Sequence, residues 1–131
     1  MKIIQEKFGA VPYEVEGIAV YDGLDIAITI GGGTKYHIGA TAIAHFHPSL
    51  KNTSSGTASV SVVSVPGHKE DQLVRNTAIK FANEIRCTVV VNAGMHIEQA
   101  TREDIDKLCE NYEQLTDLLL RNILIDRSNK L

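Results

Sequence analysis

Five histidines hold most of the near-neutral titratable chemistry in this 131-residue chain: His37, His45, His47, His68 and His96. His37 follows Gly31-Gly32-Gly33-Thr34-Lys35-Tyr36, His68 follows Pro66-Gly67, and His96 follows Asn92-Ala93-Gly94-Met95. These three stand at expected element ends, where ligand sites are built on a rigid scaffold. Imidazole ligates metals, moves protons near neutral pH and, when protonated, pairs with anions. Three imidazoles converging from strand ends can form a facial metal site or flank an anion; otherwise they are separate surface histidines. None of the three has the close sequence partner of a compact metal motif. His45 and His47 share a strand face, where they can chelate a metal, line a groove or face solvent on an edge strand.

Each histidine comes with neighbours that extend its chemistry. Three consecutive glycines allow positive φ and close backbone approach. With Lys35 and His37 on the same turn, successive amides there can form an anion-binding concavity. The run reads either as a phosphate-binding loop or as a glycine hairpin that reverses the chain. His68-Lys69-Glu70-Asp71 opens an expected helix, and a helix N-terminus favours phosphate. Glu70 and Asp71 oppose an anion unless they face away or a divalent cation such as magnesium or calcium bridges the two. Asn92-Ala93-Gly94-Met95-His96-Ile97-Glu98-Gln99 leaves a buried strand and reads as a ligand-bearing strand end or as a turn that needs Gly94.

The elements that must position these residues follow from periodicity. Residues 1–10 read as a loose arm or short edge strand, and residues 13–21 as a strand closed by the Asp22-Gly23 turn signal. Leu24, Ile26, Ile28 and Ile30 alternate with Asp25, Ala27 and Thr29, the period of a sheet with one buried face. Residues 40–47 form a small-residue strand before Pro48, and residues 57–65 a valine-rich one. The first half reads as a four-stranded antiparallel meander. The pattern then turns helical over residues 68–85, with Leu73, Val74, Thr77, Ala78, Phe81 and Ile85 on one face. Residues 88–91 read as a short central strand covered on both sides. Thr101 and Asp104 make a near capping box for a helix running to about residue 122, followed by a fraying polar tail. The expectation is an α+β fold, mainly antiparallel, in the order β-β-β-β-α-β-α with two helices on one sheet face, as a single domain over residues 1–131 with its core at about 11–124.

Hydrophobic residues make up 44% and charged residues 22% of the chain, an ordinary globular balance. A net charge of -3 argues against nucleic acid as a partner. No apolar run approaches a membrane span, and the first residues lack the apolar region of a signal peptide. The expectation is a cytoplasmic protein without a membrane partner, in which Cys87 and Cys109 are thiols rather than a disulfide.

Three blocks in this order resemble one family. They are Gly32-Gly33-Thr34-Lys35-Tyr36-His37-Ile38-Gly39, Gly67-His68-Lys69-Glu70-Asp71 and Ala93-Gly94-Met95-His96-Ile97-Glu98-Gln99. They are similar to the small D-subunit of gallate decarboxylase and its wider group, the prenylated-flavin chaperone-like domain, over about residues 24–106. The resemblance implies an accessory protein that binds prenylated FMN, or FMN, and supports its delivery to or maturation in a UbiD-type decarboxylase, the implied partner subunit. On the matching positions it implies Gly32, Gly33 and Thr34 as a backbone clamp on the flavin phosphate. It also implies Lys35, His37, His68, Lys69 and His96 as cofactor contacts, and His37, His68, His96, Glu70 and Asp71 as the surroundings of a divalent cation. The wider group carries a proline–basic pair before Ser-Leu; this chain has Phe46-His47-Pro48-Ser49-Leu50, which leaves protonated His47 to supply that charge.

Two rival readings belong to other classes. One is a metal-dependent hydrolase or lyase with zinc on His37, His68 and His96 and Glu98 as general base. The other is a subunit that only docks on a larger enzyme, through an apolar patch on the helix over residues 112–123. The sequence leaves open whether the chain forms a homo-oligomer.

Overall fold

Period-two alternation in the first half and helical stripes in the second give eight elements, seen in a computed structural model that describes residues 1–52, 54–67 and 69–129. They are β1 (Ile3–Phe8), β2 (Val15–Asp22), β3 (Asp25–Gly33), β4 (Ala40–Pro48), β5 (Gly56–Ser64), α1 (Asp71–Ile85), β6 (Thr88–His96) and α2 (Arg102–Ser128). The α+β order agrees with expectation, and the N-terminal arm supplies the short edge strand β1.

The strand order is β1-β2-β3-β6-β4-β5. The expected four-stranded meander is therefore corrected: β6 inserts between β3 and β4, parallel to β3 and antiparallel to β4. Val89, Val91 and Ala93 are fully buried, so the strand with the most continuous apolar run takes the centre of the sheet. It is longer than the 88–91 segment, because Asn92 to His96 stay in the ladder. It is covered on one face only; Val90 and Asn92 are half-buried on the other.

Both helices pack on the same face, α1 over β4–β6 and α2 over β1–β3. Val74, Ala78 and Phe81 from α1 and Tyr112, Leu115, Leu119 and Ile123 from α2 fill the core. Thr77 Oγ1 and Tyr112 Oη lie 2.8 Å apart where the helices meet. The residues expected to form a docking patch on α2 are thus core residues, and that patch is not there. The tail expected to fray is helical to Ser128. Arg127 stacks 5.5 Å from the Tyr21 ring and donates to the Leu24 carbonyl, while Lys2 pairs with Asp126.

Thr101 and Asp104 complete a full capping box: Asp104 N–H donates to Thr101 Oγ1 at 3.1 Å and Thr101 N–H to Asp104 Oδ2 at 2.9 Å. Tyr13 Oη donates to Asp104 Oδ1 at 2.8 Å, tying α2 to the segment before β2. Accepting from the Thr101 amide first, and from the Tyr13 and Thr101 hydroxyls next, holds the Asp104 carboxyl below its ordinary value. A depressed folded value means that this contribution is present above the unfolded value, about 3.9, and is lost as pH falls through the lower folded one. Urea midpoints should therefore drop in acid below about pH 4. Asp104→Asn should weaken the protein at neutral pH and flatten that acid limb; an unchanged acid limb in the variant would assign the drop to other carboxylates.

Candidate functional site

Gly31, Gly32 and Gly33 end strand β3 rather than forming a free loop, a correction to the loop reading. The close approach they permit is made by the protein's own chain. After Gly33, which takes φ +79°, residues 34–39 fold back against β6. A Cβ on Gly31 would sit 2.6 Å from the Tyr36 ring, and one on Gly94 would collide with the His37 carbonyl. Gly32 lies between Val15 and Met95. Gly33 N–H donates to Glu14 O at 3.0 Å, Thr34 N–H to His96 O at 2.8 Å and Lys35 N–H to His96 O at 3.4 Å. These amides are committed inside the fold. What the segment presents outward are side chains: the exposed Lys35 and the Thr34 hydroxyl, which donates to His96 O at 3.3 Å.

The fold-back carries His37 to the start of α1. Its Nε2 lies 3.2 Å from Glu70 Oε1, which also accepts from Met95 N–H at 3.3 Å. Glu70 is the N-cap of α1, yet its side chain makes no capping bond. It turns instead into the protein, 9% exposed, against Gly39, where a Cβ would collide with its carboxylate. The helix N-terminus favours negative charge at this position. Glu70 Oε2 is buried and has no hydrogen-bond partner among the described residues. His96 comes from the end of β6, its ring edge-on to His37 with centroids 6.3 Å apart and its Nε2 3.0 Å from Glu98 Oε2. Glu98 is thus engaged with an imidazole, not set apart as a base.

A cavity of about 400 Å³ opens beside this cluster, between the starts of α1 and α2 and the end of β6. Leu73, Met95, Ile97, Ile105, Leu108 and Cys109 give it apolar walls; Lys69, Glu70, His96 and Gln99 supply its polar groups. Burial pushes the Cys109 thiol above its ordinary value, and the Cys87 thiol to about 11. Both cysteines are free thiols, inert at neutral pH.

A family model described as the prenylated flavin chaperone LpdD-like domain matches residues 9–124. The chain belongs to this family. Membership links it to a chaperone role and a prenylated flavin. No curated protein matches the chain. Among solved structures, a chain of "Crystal Structure of a Novel Chaperone Complex for Yeast 20S Proteasome Assembly" superposes with TM-score 0.56 at 15% identity, over 90% of this chain and 94% of that one. At that identity the likeness speaks for the fold alone.

Of the expected residues, this LpdD-like domain brings His37, Glu70 and His96 together, with Lys69 on the cavity rim. Asp71 is exposed in the first turn of α1. His68 lies outside the described residues, and so does any three-histidine arrangement. Among the described residues no group of three His, Cys, Asp or Glu is arranged to hold a metal ion. His45 and His47 are exposed, their rings edge-to-face at 5.4 Å. They stand on β4, which is internal rather than an edge strand. His45 Nδ1 lies 2.7 Å from Thr88 Oγ1. Sequence reasoning missed the cavity, because Ile105, Leu108 and Cys109 sit on the same stripe as the core of α2. It also missed the burial of Glu70; the nearest signal was an acidic residue beside a glycine-bounded turn.

Proposed function

We propose that the protein binds prenylated FMN and supports its delivery to, or maturation in, a UbiD-type decarboxylase, with no catalysis of its own. The observation that carries this reading is a shared wall: Glu70 and His96 belong both to the apolar cavity and to the polar cluster. Ligand pockets of a few hundred Å³ combine apolar lining with few polar groups in this way. The buried, unpaired Glu70 Oε2 fits a ligand N–H donor, which would relieve the cost of leaving that oxygen unsatisfied.

In this arrangement the apolar wall receives the prenyl-modified ring edge and excludes water. Glu70 accepts from the ring, held by His37 and the Met95 amide. His96 flanks the ligand. Lys35 and Lys69 meet the phosphate through side chains, while Gly32 and Gly33 act by seating Met95 and His96 close together. Prenylated FMN supplies the decarboxylation chemistry once it is in the partner enzyme; this chain holds and shields it.

Spectrophotometric titration with prenylated FMN and with FMN, each with and without a divalent cation, tests the reading. The expected result is saturable binding that prefers the prenylated form, weakened about 10-fold in His96→Ala with an unchanged circular dichroism spectrum. Failure of both flavins to bind would overturn it.

A further inference from the structure

The sheet face away from the helices has the wrong surface for exposure to water. On a one-sided antiparallel sheet the outward positions are normally polar. Here the paired residues give an outward row Ile3–Val20–Ala27–Val90–Ile43–Ser61 across all six strands. The next row is Gln5–Ile18–Thr29–Asn92–Thr41–Val63. Neither row holds a charged residue, and Ile3, Ile43 and Val63 are 62%, 46% and 73% exposed. The central polar members of the second row satisfy one another, with Thr41 Oγ1 donating to Asn92 Oδ1 at 2.7 Å and Asn92 Nδ2 to Thr29 Oγ1 at 3.4 Å, while Gln5 at the edge donates to Glu16. An uncharged, self-satisfied centre is the composition of an interface core.

We infer that this face packs against the same face of a second copy, forming a two-fold sheet-on-sheet dimer that leaves the helices and the cavity on the outside. Three observations favour a second copy over another occupant. First, strand spacing and rise give the face roughly 700 Å², close to the about 800 Å² per partner of a specific interface. Second, a two-fold axis along the strands, between β3 and β6, sets each row against itself. Val20 then faces Ile43 and Ala27 faces Val90 of the second copy, both pairs apolar. Sheets packed in this way keep their strands nearly aligned, and the contact is isologous. Third, the same axis sets a carboxylate against an imidazole at the margin, a hydrogen-bonding match. There Asp22 pairs with Asp25, Thr88 N–H donates to Asp25 Oδ1 at 3.0 Å, and Thr88 pairs with His45, an alignment that puts Asp22 opposite His45 of the second copy, with both residues exposed in the single chain. This inference does not depend on the flavin reading.

Sedimentation velocity of the full chain up to about 100 µM tests it. The expected species is a dimer. Ile43→Lys should weaken dimerisation at least about 100-fold, since the symmetry inserts two lysines at once. Leu50→Lys, at a fully exposed position of the β4–β5 connection, should leave the dimer intact. Asp22→Lys should also weaken it, and adding His45→Asp should restore it, a rescue that a merely structural role would not give. A monomeric wild-type protein would overturn the inference and point to a different partner. A dimer that survives both Ile43→Lys and Asp22→Lys, with the circular dichroism spectrum unchanged, would overturn it too.

Discussion

Gly94→Ala is expected to lower stability by about 3 kcal/mol and to abolish flavin binding at the same time. The added methyl would collide with the His37 carbonyl and stand 3.0 Å from Gly39 N. Both are backbone atoms, so no rotamer change relieves the contact. Overpacking of this kind costs about 1–3 kcal/mol. Pushing residues 34–39 off β6 also strains the Gly39 N–H to Ala93 O bond, 2.9 Å long, worth about 1 kcal/mol. His37 rides on that segment, so its pairing with Glu70 goes with it. Gly23→Ala is the control. Gly23 takes φ +65° with nothing within 4 Å of the added Cβ, so only the left-handed penalty applies, about 1–2 kcal/mol. Equal melting temperatures for the two variants would mean that the fold-back of residues 34–39 does not hold the site together.

That collision also shows what the sequence could and could not say about the site. Three consecutive glycines allow a close approach, and they allow a simple chain reversal equally well. They do not say what approaches. Tyr36 packs on Gly31 and the His37 carbonyl on Gly94, contacts that exist only once β6 lies beside β3. That pairing joins residues about sixty apart, and no local periodicity encodes it. The capping box at Thr101 and Asp104 was legible because it closes within one helical turn, and the alternation of Ile26, Ile28 and Ile30 because it needs only one buried face. That β6 is central was legible from its apolar run; which strands flank it was not. A four-residue apolar run is equally at home beside any strand, and its insertion turned the expected meander into two antiparallel blocks joined through one strand. The end of α2 misled for a related reason: Asp126 and Arg127 look like a solvated tail until Lys2 and Tyr21 are brought to them.

Glu70 carries the other large expectation. Read locally, it is an acid at a helix start that would repel a phosphate. In the fold it is a buried residue of the cavity wall, bonded on Oε1 to the Met95 amide and close to His37 Nε2, with Oε2 on the Gly39 side and unpaired among the described residues. Those two oxygens make separable predictions. Glu70→Gln keeps the volume and one acceptor, so the Met95 amide stays satisfied and the melting temperature should move little. It removes the charge and the second acceptor, and a hydrogen bond to a charged group is worth about 1.5–3 kcal/mol. Affinity for prenylated FMN should therefore fall by about 10- to 100-fold. Glu70→Ala removes both oxygens. It should lose the same binding and in addition about 2 kcal/mol of stability, because the Met95 amide is left without its acceptor. Thermal melts of both variants, run beside flavin titrations, separate the two roles. If Gln binds as tightly as the wild type, the Oε2 atom is not a ligand acceptor and Glu70 serves only to hold His37 and β6. If Gln loses binding while its melt is preserved, the carboxylate is a direct ligand contact, poised before the ligand arrives by the same amide and imidazole that keep it buried.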